Sequence, residues 1–386
     1  MKVMNMASPF IRSALRAHGK TLWAGLLRAS GLLYLATKWV RRRGTIVLTF
    51  HRVLTDSEAQ QTASLPGMIV RSSTFSGFLK YAAQTSEFVD LSRDPEWQPS
   101  GKLKLAITFD DGWSDNATGA FPSARQYHAP ITIFIVPEKT GTTLPFWPER
   151  TAATMDRTTK GGSARDTLYI ERAIEALKEL PASERELRIG QMAGAPGVQS
   201  MGEQQSIGAA EAVASVDRTM SWQQIQELHS GGVTFGSHTS THEILTTISA
   251  SQAEKEIVSS RDLIQEKLKV PCSLFSYPNG DCSAEVRGLV AAAGYKFAFL
   301  NQDPGVWTRD CDPLLIPRVN VCEYHLVDAK GNFSPLIFKY AVVWNAAKGL
   351  LVQMWKANRQ KRKNKRQTGT PGLWNQSGKD QLEKPF

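Results

Sequence analysis

The chain has 386 residues, 41% of them hydrophobic and 21% charged, which excludes a disordered or fibrous polypeptide and fits one large globular domain with extensions. Lysine and arginine outnumber aspartate and glutamate by 46 to 36, a formal charge of +10 that favours anionic partners such as lipid, nucleic acid or acidic polymer. Cys272, Cys282, Cys311 and Cys322 have the spacing of neither a zinc ribbon nor a dense disulfide framework, so reduced thiols are expected.

Residues 1–43 read as an amphipathic helical extension. Its most apolar stretch, Leu22–Val40, is interrupted by Arg28 and Lys38, which argues against a spanning helix and for a segment lying on a surface. No basic start, apolar centre and small-residue cleavage site combine into a secretory signal, so a cytoplasmic chain is expected, peripheral to the inner face of the membrane.

From residue 44 to about 325, short β-rich runs alternate with helical patterns. Strands are expected at Thr45–Phe50, Leu103–Phe109, Ile131–Val136, Val233–Gly236, Ser273–Tyr277, Phe297–Leu300 and Ile316–Val321. Helices are expected at Phe75–Gln84, Asp115–Tyr127, Trp222–Ser230, Gln252–Leu268 and Ala284–Ala293. This order predicts an α/β domain built as an irregular (β/α) barrel of about seven strands, with its chemistry at the C-terminal ends of the strands.

Between about residues 145 and 221 the alternation breaks. A helical piece at Leu168–Leu180 and a Gly, Ala and Gln-rich stretch at Met192–Gly208 read as an insertion that acts as a mobile lid. Beyond the domain, in residues 334–366, Ile337, Tyr340, Val343, Trp344, Ala347, Leu350, Leu351 and Met354 recur at helical spacing and lead into the basic run RQKRKNKR, Arg359–Arg366. Two readings fit: a helix lying on an anionic membrane surface, or a helix docked on the barrel with a solvated basic tail. Nucleic-acid binding is not expected, because no aromatic-rich nucleic-acid motif accompanies the basic run. Residues 367–386 are poor in apolar side chains and are expected to be disordered.

The chemistry-bearing residues stand at predicted strand ends. LKLAITF runs directly into Asp110, Asp111 and Gly112, and consecutive side chains diverge there, so one carboxylate can bind a metal while the other acts as a base. Alone, Asp-Asp-Gly is also an ordinary solvated turn. His238 and His242 in SHTSTH are four residues apart, a spacing that places both imidazoles on one face of a helical turn. The intervening Ser and Thr residues favour a cap or a tight turn. Three mixed oxygen and nitrogen ligands leave a coordination position open, as a catalytic metal requires. FSYPNG, Phe275–Gly280, forms a turn that can aim a backbone N–H at a developing oxyanion, and His51 closes the first strand.

Taken together, these elements resemble the polysaccharide deacetylase family, whose first motif stands here as TFDDG (Thr108–Gly112) and whose second stands as HTSTH (His238–His242). The resemblance covers about Thr45 to Val321. It implies an N-acetylated glycan substrate, Asp110 as general base, and a divalent metal, usually zinc, on Asp111, His238 and His242. The third motif, SYPNG, lacks an Arg before the proline, and no later Leu-x-His supplies an acid. In these respects, and in FHRV (Phe50–Val53), the chain is similar to the exopolysaccharide-associated branch, although Phe50 stands where Tyr is common. That likeness implies His51 as general acid, the backbone of Asn279 in the oxyanion site, and Arg318 of IPRVNV orienting Asp110. Trp113 and Trp147 are candidate sugar platforms. The residues leave open another amide hydrolase on the same fold, and an inactive membrane-peripheral component of exopolysaccharide assembly.

Overall fold

The computed structural model describes residues 9–93, 100–143, 146–156, 164–193, 216–301 and 304–367. The strands in chain order are β1 (Gly44–Phe50), β2 (Arg52–Leu54), β3 (Ile69–Arg71), β4 (Ser86–Phe88), β5 (Leu103–Phe109), β6 (Ile131–Ile135), β7 (Thr234–Ser237), β8 (Leu274–Ser276), β9 (Phe297–Phe299), β10 (Trp307–Thr308) and β11 (Val319–Asn320). β1, β5 and β6 are buried almost end to end, the pattern of parallel strands covered on both faces. The main sheet runs β10-β1-β5-β6-β7-β8-β9, parallel except at β10, with β11 beside β1 and β4 beside β5.

The sheet curls round to meet its own first strand. Phe299 of β9 bridges Ile316, the Leu300 N–H donates to the Ile316 carbonyl (2.8 Å), and the Ile316 N–H donates to the Ala298 carbonyl (2.9 Å). The same segment then becomes β11 on β1, and the Val321 N–H donates to the Thr49 carbonyl (2.8 Å). The predicted irregular barrel is therefore present, closed by a short segment instead of a long strand.

Alternation along the strands divides the core. Ile46, Leu48, Phe50, Leu105, Ile107 and Phe109 face the surrounding helices, while Val47 and Ala106 point inward with Phe134, Leu274, Phe299 and Trp307. Continuing the inward series through Ala106 and Thr108 carries Asp110 into the barrel mouth.

Several elements depart from the sequence expectation. β2, β3, β4 and β10 have two or three residues each, too few to display a period of two. The helix expected at Asp115–Tyr127 begins as a π-turn, Asn116–Ala120, and continues as the α-helix Phe121–Gln126. Among the described residues of the insertion, the helices Trp147–Asp156, Ala164–Lys178 and Ala182–Ala193 share a small core of Trp147, Ile170, Ile174, Leu177 and Ile189. The Gly, Ala and Gln-rich stretch lies outside the described residues from 194 onward, as does the tail beyond Gln367. The four cysteines form no disulfide with one another.

Of the two readings of the C-terminal apolar face, docking on the barrel describes most of it. Ile337, Val343, Ala347 and Leu350 are buried, and Trp344 and Met354 pack against the main core. Gly349 explains how close that approach is: a Cβ there would lie 1.6 Å from the Pro304 carbonyl oxygen. Periodicity located the apolar face, but spacing did not decide between its two candidate partners. No helix among the described residues is long and apolar enough to cross a membrane.

Gly349→Leu is expected to cost at least about 1–3 kcal/mol through this backbone clash, read as a lowered urea midpoint. Gly25→Ala meets nothing within 4 Å in a helix interior and should be neutral or stabilising. Equal stability of both variants would show that the C-terminal helix does not seat on Pro304.

Candidate active site

Strand register assembles the site. Phe50 pairs with Phe109, and the Asp110 N–H donates to the Phe50 carbonyl (3.0 Å), so His51 and Asp110 leave adjacent strand ends side by side. The His238 N–H donates to the Ile135 carbonyl (2.9 Å) at the end of β6, Ser276 ends β8, and Arg318 stands immediately before β11. Sequence positions spread over more than 260 residues thus meet at one rim.

Asp110 is held by a buried guanidinium. Arg318 donates from Nη1 to Oδ1 (2.8 Å) and from Nη2 to Oδ2 (2.6 Å), a two-point grip that fixes the carboxylate plane. The remaining Arg318 donors go to Ser276 Oγ (2.8 Å), Thr108 Oγ1 (3.2 Å) and the Leu300 carbonyl (3.0 Å). Burial opposes ionisation of Asp110, but Arg318 and His238 outweigh it and hold the carboxyl well below the usual carboxylate range. Ser276 also donates to Asp110 Oδ2 (3.3 Å). Sequence reasoning missed Ser276, because a serine ending a short strand has no distinguishing pattern.

Asp111 reaches the same space through a left-handed backbone, φ 73°, followed by Gly112 at φ 76°. A Cβ at Gly112 would meet Ile135 Cγ2 at 2.9 Å, so the turn admits only glycine. The Asp111 carboxylate accepts the Trp113 indole N–H (3.0 Å) at Oδ2, leaving Oδ1 toward the two histidines. Their Nε2 atoms lie 3.7 Å (His238) and 3.4 Å (His242) from Asp111 Oδ1.

The histidine pair does not sit on the expected helical turn. Residues 238–242 form an irregular loop after β7 with left-handed backbone at Thr239 (φ 64°) and His242 (φ 72°). The loop is pinned by Thr241, whose N–H and hydroxyl both donate to Glu256 (2.8 and 2.7 Å), and by the His242 N–H on Thr239 Oγ1 (3.1 Å). The alternative reading, a tight turn made by the intervening hydroxyl residues, describes it better.

These residues suit a divalent metal ion. One ligand atom from each of Asp111, His238 and His242 lies within 4.8 Å of the others. His238 Nδ1 is 2.8 Å from the Ser276 carbonyl, which places the proton on Nδ1 and leaves the Nε2 lone pair toward the carboxylate. Burial pushes both imidazoles down to about 4, so they are neutral donors at physiological pH.

A second buried network braces this centre. Arg52 pairs with Asp115 (2.8 Å) and Asp217 and covers the face of Trp113 at 4.2 Å. Trp113 is fully buried, so it supports Asp111 and is not a sugar platform. Trp147 lines a cavity of about 250 Å³ beside His242, together with Lys139, Phe146, Arg185 and Glu243. The Arg185 guanidinium lies over its ring at 4.9 Å, so Trp147 too is mostly covered. Glu149, buried near Asp111, is pushed up to about 8 by its burial and then by that carboxylate.

His51 is buried, bears electrostatically on both Asp110 and His242, and has an Nδ1 with no hydrogen-bond partner among the described residues. Asn279 stands in the turn after β8 at φ 57°, its side chain bonded outward to Asp281 (2.6 Å). Tyr277 of the same motif is structural: its hydroxyl donates to the Leu314 carbonyl (3.0 Å) inside the core. The structure therefore joins Asp110, Asp111, His238, His242 and Arg318 directly, places His51 within their electrostatic reach, and sets Asn279 on the adjoining loop.

A family model described as polysaccharide deacetylase matches residues 98–298. No curated protein matches the sequence. Among solved structures, the Streptococcus pyogenes deacetylase PplD in complex with acetate is similar at 16% identity and a TM-score of 0.48, over 76% of this chain and 99% of its own. IcaB from Ammonifex degensii is similar at 16% identity and a TM-score of 0.47, over 78% and 97%. The BpsB deacetylase domain from Bordetella bronchiseptica is similar at 16% identity and a TM-score of 0.42, over 72% and 96%.

Two measurements test the site as built. Arg318→Met should cost about 3–5 kcal/mol in urea unfolding, because it strands a buried carboxylate, and adding Asp110→Asn should recover part of that loss. A single variant within about 0.5 kcal/mol of wild type would remove the buried pair from the account. Second, protons compete with a metal for the same Nε2 atoms, and burial lowers the pH at which these imidazoles protonate, so a metal ion should stay bound as pH falls past 6.5. Metal content after dialysis at stepped pH reads this directly, and loss centred on pH 6.5 would contradict the burial effect.

Proposed function

This chain belongs to the polysaccharide deacetylase family and is a carbohydrate N-deacetylase by class, and on that premise we propose that it removes acetyl groups from an N-acetylated glycan by metal-dependent hydrolysis. The observation that carries this reading is the meeting of Asp111, His238 and His242 beside an Arg318-clamped Asp110 at the strand ends. The two neutral imidazoles and one carboxylate favour zinc and leave a coordination position open. When bound, such an ion supplies Lewis acidity that makes water a nucleophile at neutral pH and polarises the acetamide carbonyl.

The protein's own groups supply the proton chemistry. Asp110, ionised and fixed in plane by Arg318, takes the proton of the attacking water. Ser276 and Thr108 keep Arg318, and through it Asp110, from turning. The backbone of Asn279 helps hold the oxyanion of the tetrahedral intermediate. His51 protonates the departing nitrogen, the C–N bond breaks, and acetate and a free amino sugar leave. Its unpartnered Nδ1 supports that role, since a histidine kept only for the fold would engage both nitrogens.

Acetate release from N-acetylated oligosaccharides should stop on chelation and return with zinc. His242→Ala should lose metal and turnover together, whereas Asp110→Asn should keep the metal and lose turnover by at least about a hundredfold. Equal metal content in wild type and in the Asp111, His238 and His242 alanine variants would refute the ligand set. His51→Ala should impair amide substrates strongly and spare activated acetate esters, which leave without protonation; equal loss on both returns His51 to a structural role.

A further inference from the structure

The exposed apolar residues are not scattered. Of the fourteen large hydrophobic side chains most open to solvent among the described residues, nine lie on three helices: Leu22, Trp23 and Leu26 on Pro9–Ala29; Leu32, Tyr34 and Leu35 on Leu32–Arg41; and Leu351, Val352 and Trp355 on Asn345–Gln367. The middle helix packs against both of the others, so the three form one layer on the flank of the domain. Within each helix the inward side is already satisfied, by Ala24, by Leu33, Ala36 and Val40, and by Ala347 and Leu350. The outward residues recur one turn apart, as in Leu22 and Leu26 or Leu351 and Trp355, and make a second apolar stripe that the fold does not cover.

Charge identifies what covers it. Residues 1–43 and 335–367 carry nine lysines and arginines each and not one aspartate or glutamate. The rest of the chain then holds 28 basic against 36 acidic residues, so the excess positive charge belongs wholly to the terminal segments. A second copy of the chain would oppose this surface with the same charge and be repelled. Nucleic acid would satisfy the cations but not the leucines between them. A surface with apolar residues, interfacial Trp and Tyr, and cations without acids matches one environment.

We propose that this three-helix layer docks the protein on the anionic face of a lipid bilayer, with Trp23, Leu26, Leu351 and Trp355 inserted at headgroup level and the flanking cations on the lipid phosphates. The layer runs from rim to rim of the barrel. Lys20 Nζ donates to the carbonyls of Tyr324 (2.6 Å) and Val327 (2.9 Å), beyond the catalytic end of β11, and Arg41 donates to the Gly101 carbonyl (2.9 Å), just ahead of β5 at the opposite end. Docking on this flank leaves the catalytic rim open along the membrane plane. The proposal stands independently of the deacetylation chemistry.

Flotation of the full chain with vesicles tests it. The protein should rise with phosphatidylglycerol–phosphatidylcholine vesicles, stay behind with pure phosphatidylcholine, and dissociate progressively as salt is raised. Replacing Trp23, Leu26, Leu351 and Trp355 together by Gln should lower the bound fraction at least about tenfold, with circular dichroism and melting temperature unchanged because all four are exposed. Equal binding of this variant, equal recovery on neutral vesicles, or tight RNA binding with no flotation would each overturn the proposal.

Discussion

Arg318 reaches Asp110 from the segment that closes the barrel, and this one buried ion pair ties catalysis to closure. Residues 313–320 join β9 to β1, and the guanidinium in their midst also engages Thr108 on β5 and Ser276 on β8. A buried pair of this kind contributes little net stability compared with an apolar core of the same volume. What it provides is direction, because a carboxylate gripped at both oxygens has one orientation. The segment that closes the sheet through its backbone hydrogen bonds therefore also carries the side chain that orients Asp110.

Burial acts differently on the neighbouring groups, and the difference separates their roles. Asp110 is kept ionised despite burial because a cation touches it, whereas His238 and His242, with weaker compensation, are driven toward their neutral, ligand-competent forms. At Glu149 burial and the Asp111 carboxylate outweigh the attraction of Arg52, and the group is driven toward its protonated form. The Arg52 network works behind this set: Arg52 covers Trp113, Trp113 donates to Asp111, and Asp217 anchors the returning end of the insertion to Arg52. The insertion and the Asp111 carboxylate are thus mechanically connected through two side chains.

The terminal helices divide their apolar surface between two purposes. The inward faces seal the barrel flank, with Gly349 allowing close approach to Pro304, and the outward faces keep leucines and tryptophans in solvent among cations. The fold accounts for the inward faces and leaves the outward stripes uncovered.

Much of the fold and the site was legible in the chain itself, because the signals are local. Strands β1, β5 and β6 are long enough to show buried parallel runs, and the motifs that end β5 and β7 are contiguous, so Asp110, Asp111, His238 and His242 could be named before any fold was known. What remained hidden depends on register and on contacts between distant segments. The strands of two or three residues exist only because neighbours pair with them, and the tight turn carrying His242 needs left-handed backbone that a four-residue spacing does not reveal. Ser276, Arg52 and Asp217 acquire roles only where burial removes water and leaves a charge or hydroxyl one available partner. Trp113, an apparent sugar platform by position, became a buried brace, and the C-terminal apolar face turned inward, for the same reason: periodicity fixes which side of an element is apolar, while only the packed structure decides what that side meets.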